Sequence, residues 1–397
     1  MIVFMYPGQG SQQPAMGEPW TGHPSWELVA EASEASARDV ARLLLTAGAD
    51  ELTQTRNSQL ATFVMSMVVL DAVTRLGTEA AGHAGHSLGE YSALTASGVL
   101  DFGDAVALVA ERGDAMQAAA EEREGTMAAV LGLDDDDVLI ACSRAPGEVW
   151  LANHNAPGQA VIAGTPEAID TAAGIARELG AKRVVPLQVG GAFHTPFMAP
   201  ARDRLTKAID RTEFRDPEGT VVANVDAAAH NRGSDWPDLL KAQLTSPVRW
   251  RHTLASLSDA GFATYVELGP GEVLGRLAKR TLKGTRPLSV AVPDDLDSLL
   301  EALAASPARA TAPLEGEHLF ATERLVVSPA AGVFHASDEV GAGAVVGVGH
   351  LVGRVGDHEV RSPFAGEIMG VLALDGERVT ASQPVAWLRG RAAGQDR

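Results

Sequence analysis

A serine flanked by two glycines, Gly85-His86-Ser87-Leu88-Gly89, is the first pattern in the chain that could do covalent chemistry. A short small-residue segment, Ala81–His86, runs into it and a helical stretch, Leu88–Ala96, follows it. In a strand–turn–helix of this kind the glycines permit a tight backbone. The serine hydroxyl then stands exposed at the helix N-terminus, and the N–H of Leu88 points to where an oxyanion would form. A serine needs a base to become a nucleophile. Of the 11 histidines, His194 sits in the small-residue loop Gly190-Gly191-Ala192-Phe193-His194-Thr195-Pro196, between a strand pattern and a helix pattern. A base can be presented to a cleft from such a loop, although spacing alone leaves a surface role open. His86 adjoins the serine, but successive strand residues point apart. Two further groups could handle a ligand. Pro7-Gly8-Gln9-Gly10-Ser11-Gln12 follows the first strand, its glycines allowing close approach and Gln9 offering a donor. Arg112, in Ala110-Glu111-Arg112-Gly113, lies on the second helix after the serine, where a surface ion pair is the alternative.

The elements that must position these residues alternate between strand and helix patterns. Ile2–Tyr6 is a short apolar run stopped by Pro7-Gly8 and reads as a buried strand. Trp26–Ala47, Gln59–Leu76 and Phe102–Ala120 have helical spacing. Thr126–Leu131, Val149–Asn153, Gln159–Ala163 and Lys182–Leu187 read as strands, with helices at Asp134–Ser143 and Pro166–Leu179. That β-α-β-β-α-β order predicts a ferredoxin-like subdomain over residues 125–188, inserted into a larger α/β domain made of residues 1–124 and 189–304. The larger domain resumes with helices at Phe197–Asp210 and Val248–Ala260 and strands at Thr220–Asn224 and Thr264–Leu268. Residues 305–319 carry Pro307 and Pro313 among alanines and polar residues, the composition of a linker. Beyond it, Val327-Ser328-Pro329-Ala330-Ala331-Gly332 returns 34 positions later as Arg361-Ser362-Pro363-Phe364-Ala365-Gly366, which predicts a small β-sandwich of two similar halves over residues 320–390.

Composition narrows the function classes. The chain has 397 residues, too many for one ordinary domain, and 46% are hydrophobic. A formal net charge of −19 disfavours nucleic acid and anionic membranes as partners. One cysteine, Cys142, allows no intrachain disulfide and fits a reducing cytoplasm. The Met1–Tyr6 start lacks the basic stretch of a signal peptide. The longest apolar run, Phe63–Leu70, is shorter than the roughly 18 residues of a membrane span.

Six motifs, in order, carry a resemblance. They are Gly8-Gln9-Gly10-Ser11-Gln12, Gly85-His86-Ser87-Leu88-Gly89-Glu90-Tyr91, Glu111-Arg112-Gly113, Asn155-Ala156-Pro157-Gly158-Gln159, Gly191-Ala192-Phe193-His194 and Glu267-Leu268-Gly269-Pro270-Gly271. Together they resemble the malonyl-CoA:acyl-carrier-protein transacylases of fatty acid synthesis and the acyltransferase domains of polyketide synthases, over residues 1–304. The resemblance implies an α/β-hydrolase-like large subdomain, malonyl-CoA and acyl carrier protein as partners, and no cofactor or metal. It implies Ser87 as nucleophile, His194 as base, and Gln9 with the Leu88 N–H as oxyanion hole. Arg112 would pair with the malonyl carboxylate. The backbone carbonyl of Gln243 would orient His194, and Asn155 would lie at the cleft edge. Phe193 matches the malonyl-type pattern, where methylmalonyl enzymes usually have a serine, and Leu88 stands where they have a glutamine. An acidic carrier protein would need a locally basic dock, for which Arg276, Lys279, Arg280, Lys283 and Arg286 are candidates.

The C-terminal repeat resembles the two halves of a biotinyl/lipoyl domain. Such a domain carries its cofactor on a lysine in the hairpin between the halves. The pattern puts Val355 at that lysine, and no lysine follows Lys283. The resemblance therefore implies a structural or docking module without biotin or lipoate. Two competing functions remain at this stage: a serine thioesterase of the α/β-hydrolase type, and an acyltransferase-like docking scaffold.

Overall fold

The computed structural model describes residues 1–305, 323–337, 340–356, 358–363, 366–381 and 383–390. The chain divides into two compact units, Met1–Pro307 and Ala308–Arg397. Most of the expected linker, from residue 306 onward, lies outside the described residues.

The strands of the first unit are β1 (Ile2–Tyr6), β2 (Gly82–Gly85), β3 (Thr126–Leu131), β4 (Val149–Ala156), β5 (Gln159–Gly164), β6 (Arg183–Pro186), β7 (Thr220–Val222), β8 (Ala229–His230), β9 (Thr264–Leu268) and β10 (Leu288–Val290). Six of them form one sheet in the order β10-β9-β1-β2-β7-β8, parallel except for the terminal β8. Parallel strands buried on both faces read as unbroken apolar runs, and Val3, Phe4, Met5 and Tyr6 of β1 are all buried. Register then sets the site. Tyr6 pairs with Gly85, so the loops after β1 and β2 leave the sheet side by side at its carboxyl edge. That edge is where open α/β sheets bind ligands. The helix Thr55–Arg75 is buried from Ser58 to Val69 and packs against the helix Phe102–Glu122 and β9.

Residues 126–186 form a second sheet, antiparallel, in the order β4-β5-β3-β6, with helices Asp135–Arg144 and Pro166–Glu178. Period-two alternation in β3 divides its faces. Ala128 and Val130 join Val138, Ala141, Ile169 and Ala172 in the subdomain's own core, and Met127 joins the main core. Two backbone hydrogen bonds, His154 N–H to Val248 O (2.8 Å) and Val248 N–H to Ala152 O (2.9 Å), tie β4 to the larger part.

Several expectations need correction. Trp26–Ala47 is not one helix. It is Glu27–Ser36 and Val40–Leu45, broken where Ala37 turns left-handed (φ 52°) and Asp39 caps the second piece. No glycine marks that break, so hydrophobic spacing runs across it. The short β10 and the helices Trp236–Gln243 and Asp295–Ala305 were not anticipated. Arg280, one of the proposed docking cations, is exposed and has partners within the fold. Its guanidinium donates to Pro157 O (2.9 Å), Gly158 O (3.2 Å) and Gln159 Oε1 (3.3 Å), clamping the β4–β5 turn.

Among its described residues the second unit has eight strands: β11 (Glu323–Val327), β12 (Gly332–Ala336), β13 (Val345–Val346), β14 (Leu351–Val355), β15 (His358–Arg361), β16 (Gly366–Val371), β17 (Arg378–Val379) and β18 (Pro384–Gly390). They form two sheets, β11-β18-β16-β13 and β15-β14-β12-β17. Advancing each strand number in the first half by four, and reducing each in the second half by four, converts one sheet into the other. The sequence repeat is therefore an interleaved two-fold, in which each sheet draws two strands from each half. Val355 is buried in this unit's core at the end of β14, beside Gly356 at the β14–β15 turn.

Candidate active site

Ser87 is held on a bend that only its neighbours make feasible. Its φ is 53°, a left-handed conformation that costs a non-glycine residue about 1–2 kcal/mol. A Cβ on Gly85 would run into Gly89 O, and one on Gly89 would run into Tyr6 O, so no other residue fits at either flank. A Cβ on Gly8 would meet His86 O at 2.5 Å, which explains the glycine opening the Gln9 loop. The bend is braced by Asn224, which accepts from Ser87 N–H (2.7 Å) and donates to Gly85 O (2.7 Å).

Ser87 Oγ lies 2.7 Å from His194 Nε2, and His194 Nδ1 lies 2.9 Å from the carbonyl oxygen of Gln243. The second contact fixes the tautomer. Nδ1 carries the proton and donates to the carbonyl, which leaves Nε2 free to accept from serine. His194 also has a left-handed backbone (φ 61°). Burial, then the nearby Arg112 charge, pushes its imidazole down to about 3, so the ring is neutral at physiological pH and ready to take a proton.

Arg112 is not a surface residue: it is 1% exposed. Its guanidinium donates to Gln59 Oε1 (2.6 Å), Gln243 Oε1 (2.8 Å) and Ser87 Oγ (3.1 Å), with the Tyr91 ring 5.5 Å away. Burial lowers its pKa, while Tyr91 and Glu90 oppose that shift. A buried cation at hydrogen-bond distance from a nucleophile suits a substrate whose acyl group carries its own negative charge.

These groups face a cleft of about 510 Å³ lined by Gln9, Ser87, Arg112, Met116, Phe193 and His194 among others. A neighbouring hollow of about 670 Å³ shares Gln9, His86, Asn153 and Leu187 with it and adds Asn155 and Leu277. Gln9 thus stands where the two meet. Leu88 is fully buried at the foot of the helix Gly89–Ala96, and its N–H belongs to the unsatisfied first turn. Asn155 lines the neighbouring hollow. Its side chain bonds His86 Nε2 (2.9 Å), and the His86 ring packs edge-on to Trp250. Phe193, 5% exposed, walls the cleft beside His194.

Three participants were missed. Glu90, 1% exposed, accepts from Asn224 N–H (2.7 Å) and from the Gln243 side chain; burial pushes its carboxyl up to about 7. The others are Gln59 and Asn224. Ser58, Gln59, Thr62 and Ser66, set among apolar residues in the buried stretch Ser58–Val69, were a usable signal, because buried polar groups need partners. Asn224 follows a strand with no local mark. Among the described residues, no group of three or more His, Cys, Asp or Glu side chains could hold a metal ion, and no helix is long and apolar enough to cross a membrane.

Comparison with known proteins gives the family. The acyl transferase domain family matches residues 3–295. The malonyl CoA-acyl carrier protein transacylase of Bacillus subtilis (strain 168) is 38% identical over 307 residues, covering 76% of this chain and 97% of the relative. The structure of an acyl carrier protein S-malonyltransferase from Vibrio cholerae superposes with a TM-score of 0.72 at 38% identity, over 75% of this chain and 99% of its own. A malonyl-transacylase solved in complex with its type II PKS acyl-carrier protein gives 0.73 at 36% identity, over 76% and 99%. A buried arginine beside a histidine-paired serine, within a matching fold and sequence, places this chain in the acyl transferase family, among the malonyl CoA-acyl carrier protein transacylases.

Proposed function

We propose that the chain moves a malonyl group from malonyl-CoA to the phosphopantetheine thiol of an acyl carrier protein, through an acyl-Ser87 intermediate. The observation that carries this reading is the buried Arg112 guanidinium, 3.1 Å from Ser87 Oγ. The malonyl carboxylate pairs with it, which lays the thioester carbonyl over Ser87. His194 Nε2 takes the Ser87 proton as Oγ attacks. The side chain of Gln9 and the N–H of Leu88 receive the developing oxyanion. The tetrahedral adduct expels the coenzyme A thiolate, which is protonated by His194. The carrier thiol then gives its proton to His194 and attacks the acyl-serine, and Ser87 recovers a proton as it leaves. A carbonyl rather than a carboxylate behind His194 stabilises the transient imidazolium less strongly, and Arg112 opposes it further. Phe193 fills the space that an extra methyl on the malonyl carbon would need.

In this reading the six-stranded unit is an α/β-hydrolase-like subdomain of residues 1–124 and 189–304, and residues 125–188 are a ferredoxin-like one. The β4-β5-β3-β6 order supports the latter. The interleaved C-terminal strands support a biotinyl/lipoyl-like barrel-sandwich, which without lysine serves as a structural or docking module. Fatty acid or polyketide assembly in a reducing cytoplasm fits the substrate and the single cysteine.

The test is intact mass after brief exposure to malonyl-CoA and, separately, methylmalonyl-CoA, followed by addition of holo carrier protein. Malonyl-CoA should leave one malonyl adduct on Ser87, discharged to the carrier, and methylmalonyl-CoA little or none. Absence of the adduct, or release of free malonate in place of transfer, overturns the reading.

A further inference from the structure

Gln243 does two tasks from one residue. Its backbone carbonyl orients His194 and its side-chain oxygen accepts from Arg112. The side chain can serve Arg112 only with the amide one way round. In that orientation Nε2 donates to Ser87 O (2.9 Å) and to Glu90 Oε2, and Oε1 faces Arg112 (2.8 Å). Turned over, the amide would set N–H groups against the guanidinium and its oxygen against two acceptors. Ser87 O accepts in any backbone state. The Glu90 carboxylate is the one acceptor here whose chemistry a side-chain change can alter.

Both Glu90 oxygens are committed as acceptors, one to Asn224 N–H and one to Gln243, and these two donors together with the Arg112 charge favour the ionised carboxylate against the pull of burial. The carboxylate touches neither Ser87 Oγ nor His194, yet it is linked to both through Gln243 and Asn224. We propose that Glu90 is a positioning residue for selectivity: by fixing the Gln243 amide, it aims Arg112 at the carboxylate of the incoming acyl group. This rests on the malonyl-transfer reading and adds to it a residue that never meets the substrate.

Glu90→Gln preserves shape and removes one acceptor. Its own N–H group must then oppose either Asn224 N–H or Gln243 Nε2. The second conflict is relieved only by turning the Gln243 amide, which strips Arg112 of its acceptor. The ratio of Ser87 acylation rates with malonyl-CoA and acetyl-CoA should fall about tenfold or more, with acetyl-CoA much less affected, as expected when a buried donor loses its partner. Gln243→Met removes the amide while leaving the backbone carbonyl to His194. In that background Glu90→Gln should cause no further fall in the ratio, because nothing remains to be turned.

Equal loss with both substrates, or an undiminished effect of Glu90→Gln beside Met at 243, overturns the proposal. If Glu90→Gln alone does not fold, melting of the double variant decides. Recovery of a cooperative melt supports the donor–donor conflict, and failure to recover refutes it. The unaltered protein and Arg112→Met keep the two claims apart. No malonyl adduct on the unaltered protein, or an unchanged ratio in Arg112→Met, sinks the malonyl-transfer reading and this proposal with it. Loss of the ratio in Arg112→Met with retention in Glu90→Gln sinks the proposal alone.

Discussion

Replacing Arg112 by methionine separates binding of the acyl carboxylate from the rest of catalysis. Methionine roughly fills the buried volume while removing the charge and its donors. In the unaltered protein the guanidinium is committed to Gln59, Gln243 and Ser87 Oγ, and the malonyl carboxylate meets a cation that is itself 1% exposed. A carboxylate left there without its cation costs about 3–5 kcal/mol. That corresponds to a fall in kcat/KM for malonyl-CoA of roughly two to four orders of magnitude. Acetyl-CoA has no carboxylate to strand and loses only the contact from Arg112 to Ser87 Oγ, about 1 kcal/mol or a factor of five or so. The malonyl preference should therefore shrink by at least about tenfold while acetyl transfer survives. Single-turnover acylation with each thioester, read by mass, measures both arms. Equal losses for the two substrates would refute the reasoning, because they would make Arg112 a support for the fold or for Ser87 and not a reader of the acyl group.

Three further outcomes follow from the geometry. Ser87→Ala and Ser87→Gly should both lack the acyl adduct, and the glycine variant should be the more stable by about 1 kcal/mol in urea melts, since φ is 53° at this position; an alanine variant as stable as glycine would show that no strain is held there. For His194 the folded pKa, about 3, lies below the unfolded 6.5, so the unfolded chain binds the extra proton between those values. Its contribution is intact above 6.5 and lost as pH falls toward 3. At pH 5 the unaltered protein should thus have lost about 2 kcal/mol relative to His194→Gln, compared with pH 7, and parallel stability curves for the two would contradict the burial argument. Truncation after residue 305 should leave transfer to free carrier protein near normal, because every proposed catalytic group lies before it. A large rate loss at unchanged melting temperature would instead implicate the C-terminal unit in delivery.

The legibility of the site followed the length of its motifs. Ser87 was readable because two glycines, a preceding strand and a following helix all constrain one backbone, and the structure shows each glycine packed against backbone that admits no Cβ. His194 and Arg112 became readable only beside the other motifs, since a lone loop histidine or helix arginine has bland explanations. Glu90 stood inside a quoted motif and was still overlooked. Its partners Asn224 and Gln243 are more than a hundred positions away, and pairing at that distance leaves no periodic trace. The same limit hid the Arg280 clamp, whose acceptors are mostly backbone carbonyls. Element types were legible where periodicity was long. They failed at Ala37, where a left-handed residue that is not glycine ended a helix, and at three-residue β10.

The interleaving of the C-terminal strands has a kinetic consequence. β11 pairs with β18 and β12 with β17, so the first strand of the unit finds its partner only in the last. Neither half can close a sheet while the other is missing. The Glu323–Val327 segment therefore stays unpaired until the segment ending at Gly390 has left the ribosome, and folding of this unit is confined to the time after synthesis of that strand. Closing so long a loop before any sheet is complete places the unit among the slow, non-local folders, on the order of milliseconds to seconds. The six-stranded sheet of the first unit needs no strand beyond β10 at Leu288–Val290, so it can form while the C-terminal strands are still being made.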